Sequence, residues 1–224
     1  MNQSLKGAGV IFDLDGTLID TAGDLAASMN HVLRENGQQP MEPESVRHLV
    51  SFGARWMLAK GFCLHDRELI HSSEMDVHIE MFLEHYVANI AVTSRPFDDA
   101  MAAVEQMRIA GAKVAICTNK REALARQLID ELGLSDVFQV IVGADTSSAA
   151  KPDPAPIRLC MELLEVDKGV FVGDSDTDIK ASLAAGLNCL LHMHGYGPFT
   201  LSDQVFALFH AYAVTPELVK RAMA

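Results

Sequence analysis

Two aspartates two residues apart, Asp13 and Asp15, stand directly after the apolar run Gly9-Val10-Ile11-Phe12. Like-charged carboxylates repel in a partly dry site. The pair therefore needs a counter-charge, and a divalent cation with oxygen ligands is the usual one. A second acidic cluster, Gly173-Asp174-Ser175-Asp176-Thr177-Asp178, follows another apolar run. If a helix begins there, Asp174 and Asp178 share one face at i, i+4, a pairing that the helix N-terminus offsets only in part. Taken alone, each cluster also has a structural reading: Asp174 or Asp176 as a helix cap, Asp15-Gly16 as a turn. A calcium loop is excluded, because Ile179 stands where that loop needs glycine and Ala185 where it needs a bidentate glutamate. Thr118-Asn119 adds a hydroxyl, an amide and the free N–H groups of a helix start, which suit an anion. Lys151, just before Pro152, is a solvated loop lysine in isolation but the natural counter-charge for Asp13, Asp15, Asp174 and Asp178. Together these residues describe a metal-assisted phosphoryl site.

Such a site requires elements that bring distant segments together. Short apolar runs ending in polar residues recur along the chain: Gly9–Phe12, Lys113–Cys117, Val137–Val142, Gly169–Val172 and Leu187–Leu191. Continuous β-branched-rich runs suit strands buried on both faces of a parallel sheet. Helical patterns lie between them, over 98–110, 121–132 and 176–185, and stop at Gly111, Gly133 and Gly186. This alternation predicts an α/β protein with a doubly wound, Rossmann-like parallel sheet, which binds ligands at the carboxyl ends of its strands. Residues 21–90 break the pattern. Leu25, Met29, Val32 and Leu33, and then Met75, Ile79, Phe82, Leu83 and Tyr86, follow helical spacing with no convincing strand between them. The expected organisation is an α/β core from 1–20 and 91–224, with an all-helical insert, 21–90, after the first strand.

Composition narrows the function classes. The chain has 224 residues, 49% of them hydrophobic, and a formal net charge of -12. The apolar fraction excludes wholesale disorder, and the acidic balance argues against nucleic-acid binding. No uncharged apolar run approaches the roughly 18 residues needed to span a bilayer, so no membrane partner is expected. The stretch from Met1 to Lys6 meets Asp13 too soon for a signal peptide, and the expectation is a cytoplasmic protein. Four cysteines without a Cys-x-x-Cys pair read as reduced core residues.

The ordered set Asp13-x-Asp15-Gly16-Thr17-Leu18, Thr118-Asn119, Lys151-Pro152 and Gly173-Asp174-Ser175-x-x-Asp178 resembles the haloacid dehalogenase superfamily of aspartate phosphohydrolases. The helical insert resembles that family's cap. Residues 16–27, Cys117–Lys120, Gly143–Thr146 and Gly195–Gly197 make the likeness greatest to its bacterial phosphoglycolate phosphatases. The resemblance implies that Asp13 is the nucleophile, forming an aspartyl-phosphate, and that Asp15 is the general acid and base. It implies magnesium held by Asp13, the backbone carbonyl of Asp15, and Asp174. It further implies that Thr118, Asn119 and Lys151 hold the phosphoryl oxygens, with Asp178 orienting Lys151 or a metal-bound water. The implied substrate is a small anionic phosphomonoester, 2-phosphoglycolate first, handled by a monomer or homodimer. A sugar phosphate, a phosphomutase reaction, or a regulatory binding protein on the same fold are the alternatives. Halide removal is disfavoured, because the dehalogenating members lack an acid at the position of Asp15.

Some features depart from the resemblance. Ser51-Phe52-Gly53-Ala54-Arg55 has one glycine where the family's first cap loop tends to carry two. Arg55 is the candidate for a substrate carboxylate, which a guanidinium can grip with two bonds. Arg121 and Asp176-Thr177 also differ from common family residues. His71, His78 and His85 recur every seven residues, about 10.5 Å apart on a helix and too far to share a metal. His192 and His194 point to one side of a strand end.

Overall fold

The apolar runs form strands because their backbone groups pair with parallel neighbours and both faces of the sheet are covered. The computed structural model describes residues 5–224; Met1–Ser4, part of the stretch weighed as a signal peptide, lies outside the described residues. Five runs become β1 (Ala8–Phe12), β2 (Lys113–Cys117), β3 (Val140–Val142), β4 (Lys168–Gly173) and β5 (Asn188–His192). To the sheet these five form, the structure adds a sixth strand that the sequence pattern does not announce, β6 (Ala207–Phe209). It is three residues long, sits at the sheet edge against β5, and buries only Phe209, so it carries no continuous apolar signal. β3 is shorter than its run, since Val137 turns back to the Leu134 carbonyl and the Gln139 side chain caps the Val114 N–H.

The order is β3-β2-β1-β4-β5-β6 and all neighbours are parallel. The chain starts in the middle, winds to one edge, then restarts beside β1 and winds to the other. The crevice at the carboxyl ends of β1 and β4 is therefore the topological switch point, where such sheets bind ligands. In register, Phe12 pairs with Val172 and with Ile116, which brings the residues after all three strands to one edge. Val10 to Phe12, Val114 to Cys117 and Val170 to Val172 are wholly buried and form the rigid base beneath that edge.

Helices Ala100–Ile109, Glu122–Glu131, Ala155–Leu163, Asp176–Ala185 and Thr215–Ala222 complete this unit. The helices expected to stop at glycine do so: Gly133 and Gly186 take positive φ of 69° and 82°, which ends the helix without a Cβ penalty. No helix among the described residues is long and apolar enough to cross a membrane.

The chain folds as two compact units, the second being Thr21–Arg95. It contains helices Ala22–Glu35, Ala54–Gly61 and Ser73–Ala88 with short helical turns between them. Leu25, Met29, Val32, Leu33, Met75, Phe82 and Tyr86 are buried, as helical spacing required. Of the three spaced histidines, His71 is exposed and precedes the helix Ser73–Ala88, whereas His78 stacks on Phe62, and His85 stacks on His31 and meets the Ser28 hydroxyl at 3.1 Å.

The sequence pattern groups residues 91–95 with the core, whereas in the structure they belong to the helical unit. Asp24 supplies the physical reason. Its buried carboxylate accepts bonds of 2.7–3.1 Å from the backbone N–H and hydroxyl groups of both Thr93 and Ser94. Asp24→Ala would leave those donors without an acceptor in a dry place, and we expect about 3 kcal/mol of destabilisation. Urea unfolding followed by the fluorescence of Trp56, the chain's one tryptophan, would register it; an unchanged midpoint would show the anchor to be dispensable.

Candidate active site

At the switch point the chain leaves β1 into Asp13. The Asp13 N–H still follows the strand, donating to the Val172 carbonyl at 2.8 Å, while its carboxylate accepts from the Leu14 N–H at 2.7 Å. The loop that follows is clamped from several elements of the same unit. Gly16 takes φ of +80°, and a Cβ there would lie 2.3 Å from Asp174, so only glycine fits. His192, at the end of β5, donates from Nδ1 to the Gly16 carbonyl at 3.0 Å, the tautomer that a carbonyl partner requires. Burial lowers the His192 pKa to about 4, and the ring packs among Phe97, Phe209 and Tyr212. It is a neutral clamp rather than a charged group. Tyr212 donates its hydroxyl to the Thr17 carbonyl, and Tyr196 donates to Asp20.

Four segments converge on this loop. Lys151, with a side chain 1% exposed, lies 3.0 Å from Asp13 Oδ1 and 2.6 Å from Asp178 Oδ1. The other oxygen of Asp178 accepts from the N–H groups of Asp174 and Ser175 and from the Ser175 hydroxyl. Asp178 is thus saturated as an acceptor and fixed as the partner of Lys151. Asp174 accepts from the Thr17 hydroxyl at 3.1 Å and the Tyr196 N–H at 2.6 Å. Gly195 lets that segment approach, since a Cβ there would fall 2.2 Å from Asp174 Cβ. Asp176 faces away, holding Thr200 and the Leu201 N–H, and Ser175 is the residue that caps the helix.

Two positions differ from what residue type suggests. Asn119 suits phosphoryl oxygens, but its amide is already engaged: Oδ1 accepts from the Lys151 N–H at 3.0 Å and Nδ2 donates to the Lys151 carbonyl at 2.9 Å. The amide grips the Lys151 backbone and so sets where the ammonium stands. Arg55 does not offer a free fork for a carboxylate: it donates to the Ile70 carbonyl and to Asp76 within the helical unit. Thr118 lies where expected, 3% exposed at the end of β2, with its hydroxyl accepting from the Lys120 N–H.

Lys120 is the residue that sequence reasoning missed. Its ammonium lies 2.8 and 2.9 Å from the two Asp15 oxygens, and the pair is largely buried, at 7% and 17% side-chain exposure. The signal was present as the third residue of Thr118-Asn119-Lys120, but nothing in the spacing connected it to Asp15.

The electrostatics ask for a cation. Asp13, Asp174 and Asp178 bring carboxylate oxygens within 4.8 Å of one another, with Lys151 among them. Burial pushes the Asp13 carboxyl up to about 7, against the lowering pull of Lys151 and with repulsion from Asp178 and Asp15 added. Burial, then the charges of Asp178 and Asp13, also holds Asp174 well above the usual range. For Lys151 burial alone would favour the neutral form, but Asp13 and Asp178 more than reverse this, and its pKa lies above the ordinary value. The chemistry of this donor set, hard carboxylate oxygens in excess of positive charge, fits a divalent metal ion.

The sign of the pH effect follows. In the metal-free protein the folded Asp13 keeps a proton that the unfolded chain releases, so stability falls as pH rises from 3.8 towards about 7. The raised Asp174 acts in the same direction. A bound divalent cation should therefore raise the melting temperature more at pH 7 than at pH 5. Thermal scans with magnesium and with a chelator test this, and equal shifts at both pH values would refute it.

The comparisons with known proteins accord with this architecture. A sequence model of the haloacid dehalogenase-like hydrolases matches residues 10–192, and the chain belongs to that family. It is 37% identical over 216 residues to a phosphoglycolate phosphatase of Mesorhizobium japonicum, covering 95% of each chain. It is 35% identical over 189 residues to a phosphoglycolate phosphatase of Aquifex aeolicus, covering 84% of this chain and 85% of the relative. Among solved structures, a predicted phosphoglycolate phosphatase from Haemophilus somnus superposes with a TM-score of 0.82 at 22% identity, covering 96% of this chain and 98% of the other. CbbY from Rhodobacter sphaeroides in complex with phosphate gives 0.71 at 23% identity, over 92% and 94% of the two chains. At these identities the structures share the fold.

Proposed function

We propose that this hydrolase releases phosphate from 2-phosphoglycolate through an aspartyl-phosphate on Asp13. The observation that carries the reading is the buried Asp13–Lys151–Asp178 chain, with contacts of 3.0 and 2.6 Å, beside Asp174 at the carboxyl ends of β1 and β4. The likeness to phosphoglycolate phosphatases supports the choice of substrate. An Asp13 oxygen attacks phosphorus, and the bond to the leaving oxygen breaks. Asp15 gives the departing alkoxide its proton, then takes one from the water whose oxygen attacks phosphorus and releases Asp13. Lys151 and Thr118 hold phosphoryl oxygens and stabilise their charge as it redistributes. Asn119 positions Lys151 through its backbone, and Asp178 fixes the ammonium. Magnesium, held by Asp13, Asp174 and the Asp15 carbonyl, would neutralise the acidic cluster and draw the phosphoryl group towards Asp13. Arg55 would reach a substrate only by giving up its bonds to Ile70 and Asp76.

Phosphate release from 2-phosphoglycolate beside a panel of sugar phosphates, with magnesium and with a chelator, tests the reading. A magnesium-dependent preference for 2-phosphoglycolate is expected. Release only from other compounds would keep the reaction and discard the substrate. No release, with phosphoryl groups instead exchanged between sugar positions, would favour a phosphomutase.

A further inference from the structure

The Lys120–Asp15 pair has a second use. Both groups are mostly shielded from water, so neither can lose its partner cheaply, and an exchange of one carboxylate for another is far less costly than a simple break. An oxygen hydrogen-bonded to Asp15 lies within about 6 Å of the ammonium, two hydrogen-bond lengths. Under the reading above, which this inference rests on, that oxygen is the leaving one. In 2-phosphoglycolate a single methylene joins it to the carboxylate carbon. The substrate therefore carries its own anion into reach of Lys120.

We propose that Lys120 is the specificity-determining residue of this site: it receives the substrate carboxylate in place of Asp15 and so releases the Asp15 side chain, which takes a proton from water and gives it to the leaving oxygen. A phosphomonoester whose leaving group bears an anion one carbon from the ester oxygen makes the exchange. One with a neutral leaving group leaves Asp15 on Lys120. Selectivity then comes from a charge-assisted bond formed only with the correct class of substrate.

The test compares 2-phosphoglycolate with 2-hydroxyethyl phosphate, in which a neutral CH₂OH replaces the carboxylate, in the magnesium-loaded wild type and in Lys120→Met and Lys120→Arg. In Lys120→Met, kcat/KM for 2-phosphoglycolate should fall by about 10- to 100-fold, the loss of one charge-assisted bond. That for 2-hydroxyethyl phosphate should fall much less, so that the preference collapses. Lys120→Arg keeps the charge and should recover part of the preference. Equal losses on both substrates would mean that Lys120 merely holds Asp15 in place, and would overturn the proposal. So would a wild-type preference for 2-phosphoglycolate that survives in Lys120→Met. A wild type that prefers some other anion-bearing phosphate removes the named substrate alone, and Lys120→Met should then erase that preference. A wild type indifferent to anions in the leaving group overturns both.

Discussion

Asp13→Asn should abolish turnover while making the metal-free protein more stable at neutral pH. The expected loss in kcat is at least about ten-thousandfold, the order seen when a covalent nucleophile is removed. An amide oxygen is a poor nucleophile, and no other carboxylate among the described residues touches both Lys151 and the end of β1. The gain in stability has the opposite origin. Ionised Asp13 is buried among like charges, which is why its carboxyl is pushed up to about 7. An uncharged isostere removes that strain at pH 7 and loses little at pH 4, where the wild-type group already holds its proton. Phosphate release and thermal scans at both pH values check the two halves separately. Substantial residual turnover would reject Asp13 as nucleophile, and a lower melting temperature at pH 7 would reject the account of its charge.

The second large effect is on the fold. Lys151→Met deletes the cation from a buried group of three carboxylates, leaving Asp13 and Asp178 facing each other without a mediator. Breaking a buried ion pair from one side costs about 3–5 kcal/mol, which for a chain of this size corresponds to a fall of about 10 °C in melting temperature. Activity should vanish with it. Adding Asp178→Asn to Lys151→Met removes the orphaned charge, and should return part of the stability but none of the activity. That asymmetry separates the structural role of Asp178 from the charge that Lys151 brings to the phosphoryl oxygens. If the double variant is no more stable than the single one, the energy of the site lies elsewhere, for example in the Asp178 bonds to Ser175 and the Asp174 N–H.

The parts of this protein that sequence reveals are those whose signal is local. Gly9–Phe12 and Gly169–Val172 are continuous apolar runs, so their burial on both faces is written into the residues themselves. Gly133 and Gly186 mark helix ends because a positive φ is a property of one residue. β6 escaped because an edge strand of three residues needs only one buried side chain. Residues 91–95 fall with the core by pattern because the anchor at Asp24 is nearly seventy positions from Thr93 and Ser94.

The candidate site divides in the same way. Acidic pairs at strand ends announce a need for positive charge, so Asp13, Asp15, Asp174 and Lys151 stand out as candidates from residue type and order alone. Lys151 as the partner of Asp13 and Asp178 was legible too, but the cation that meets Asp15 was not. Lys120 reaches Asp15 across 105 positions, and Thr17 reaches Asp174 across 157. Asn119 turns to the Lys151 backbone and Arg55 to Asp76, although residue type alone suited both to an anion. Residue types and their order determined that this chain carries hydrolase chemistry on a doubly wound sheet. The tertiary structure decided that Lys120 meets Asp15 and that Asn119 meets the Lys151 backbone, because in a buried site each side chain takes the partner within about 3 Å, and that proximity is set by how separate elements pack.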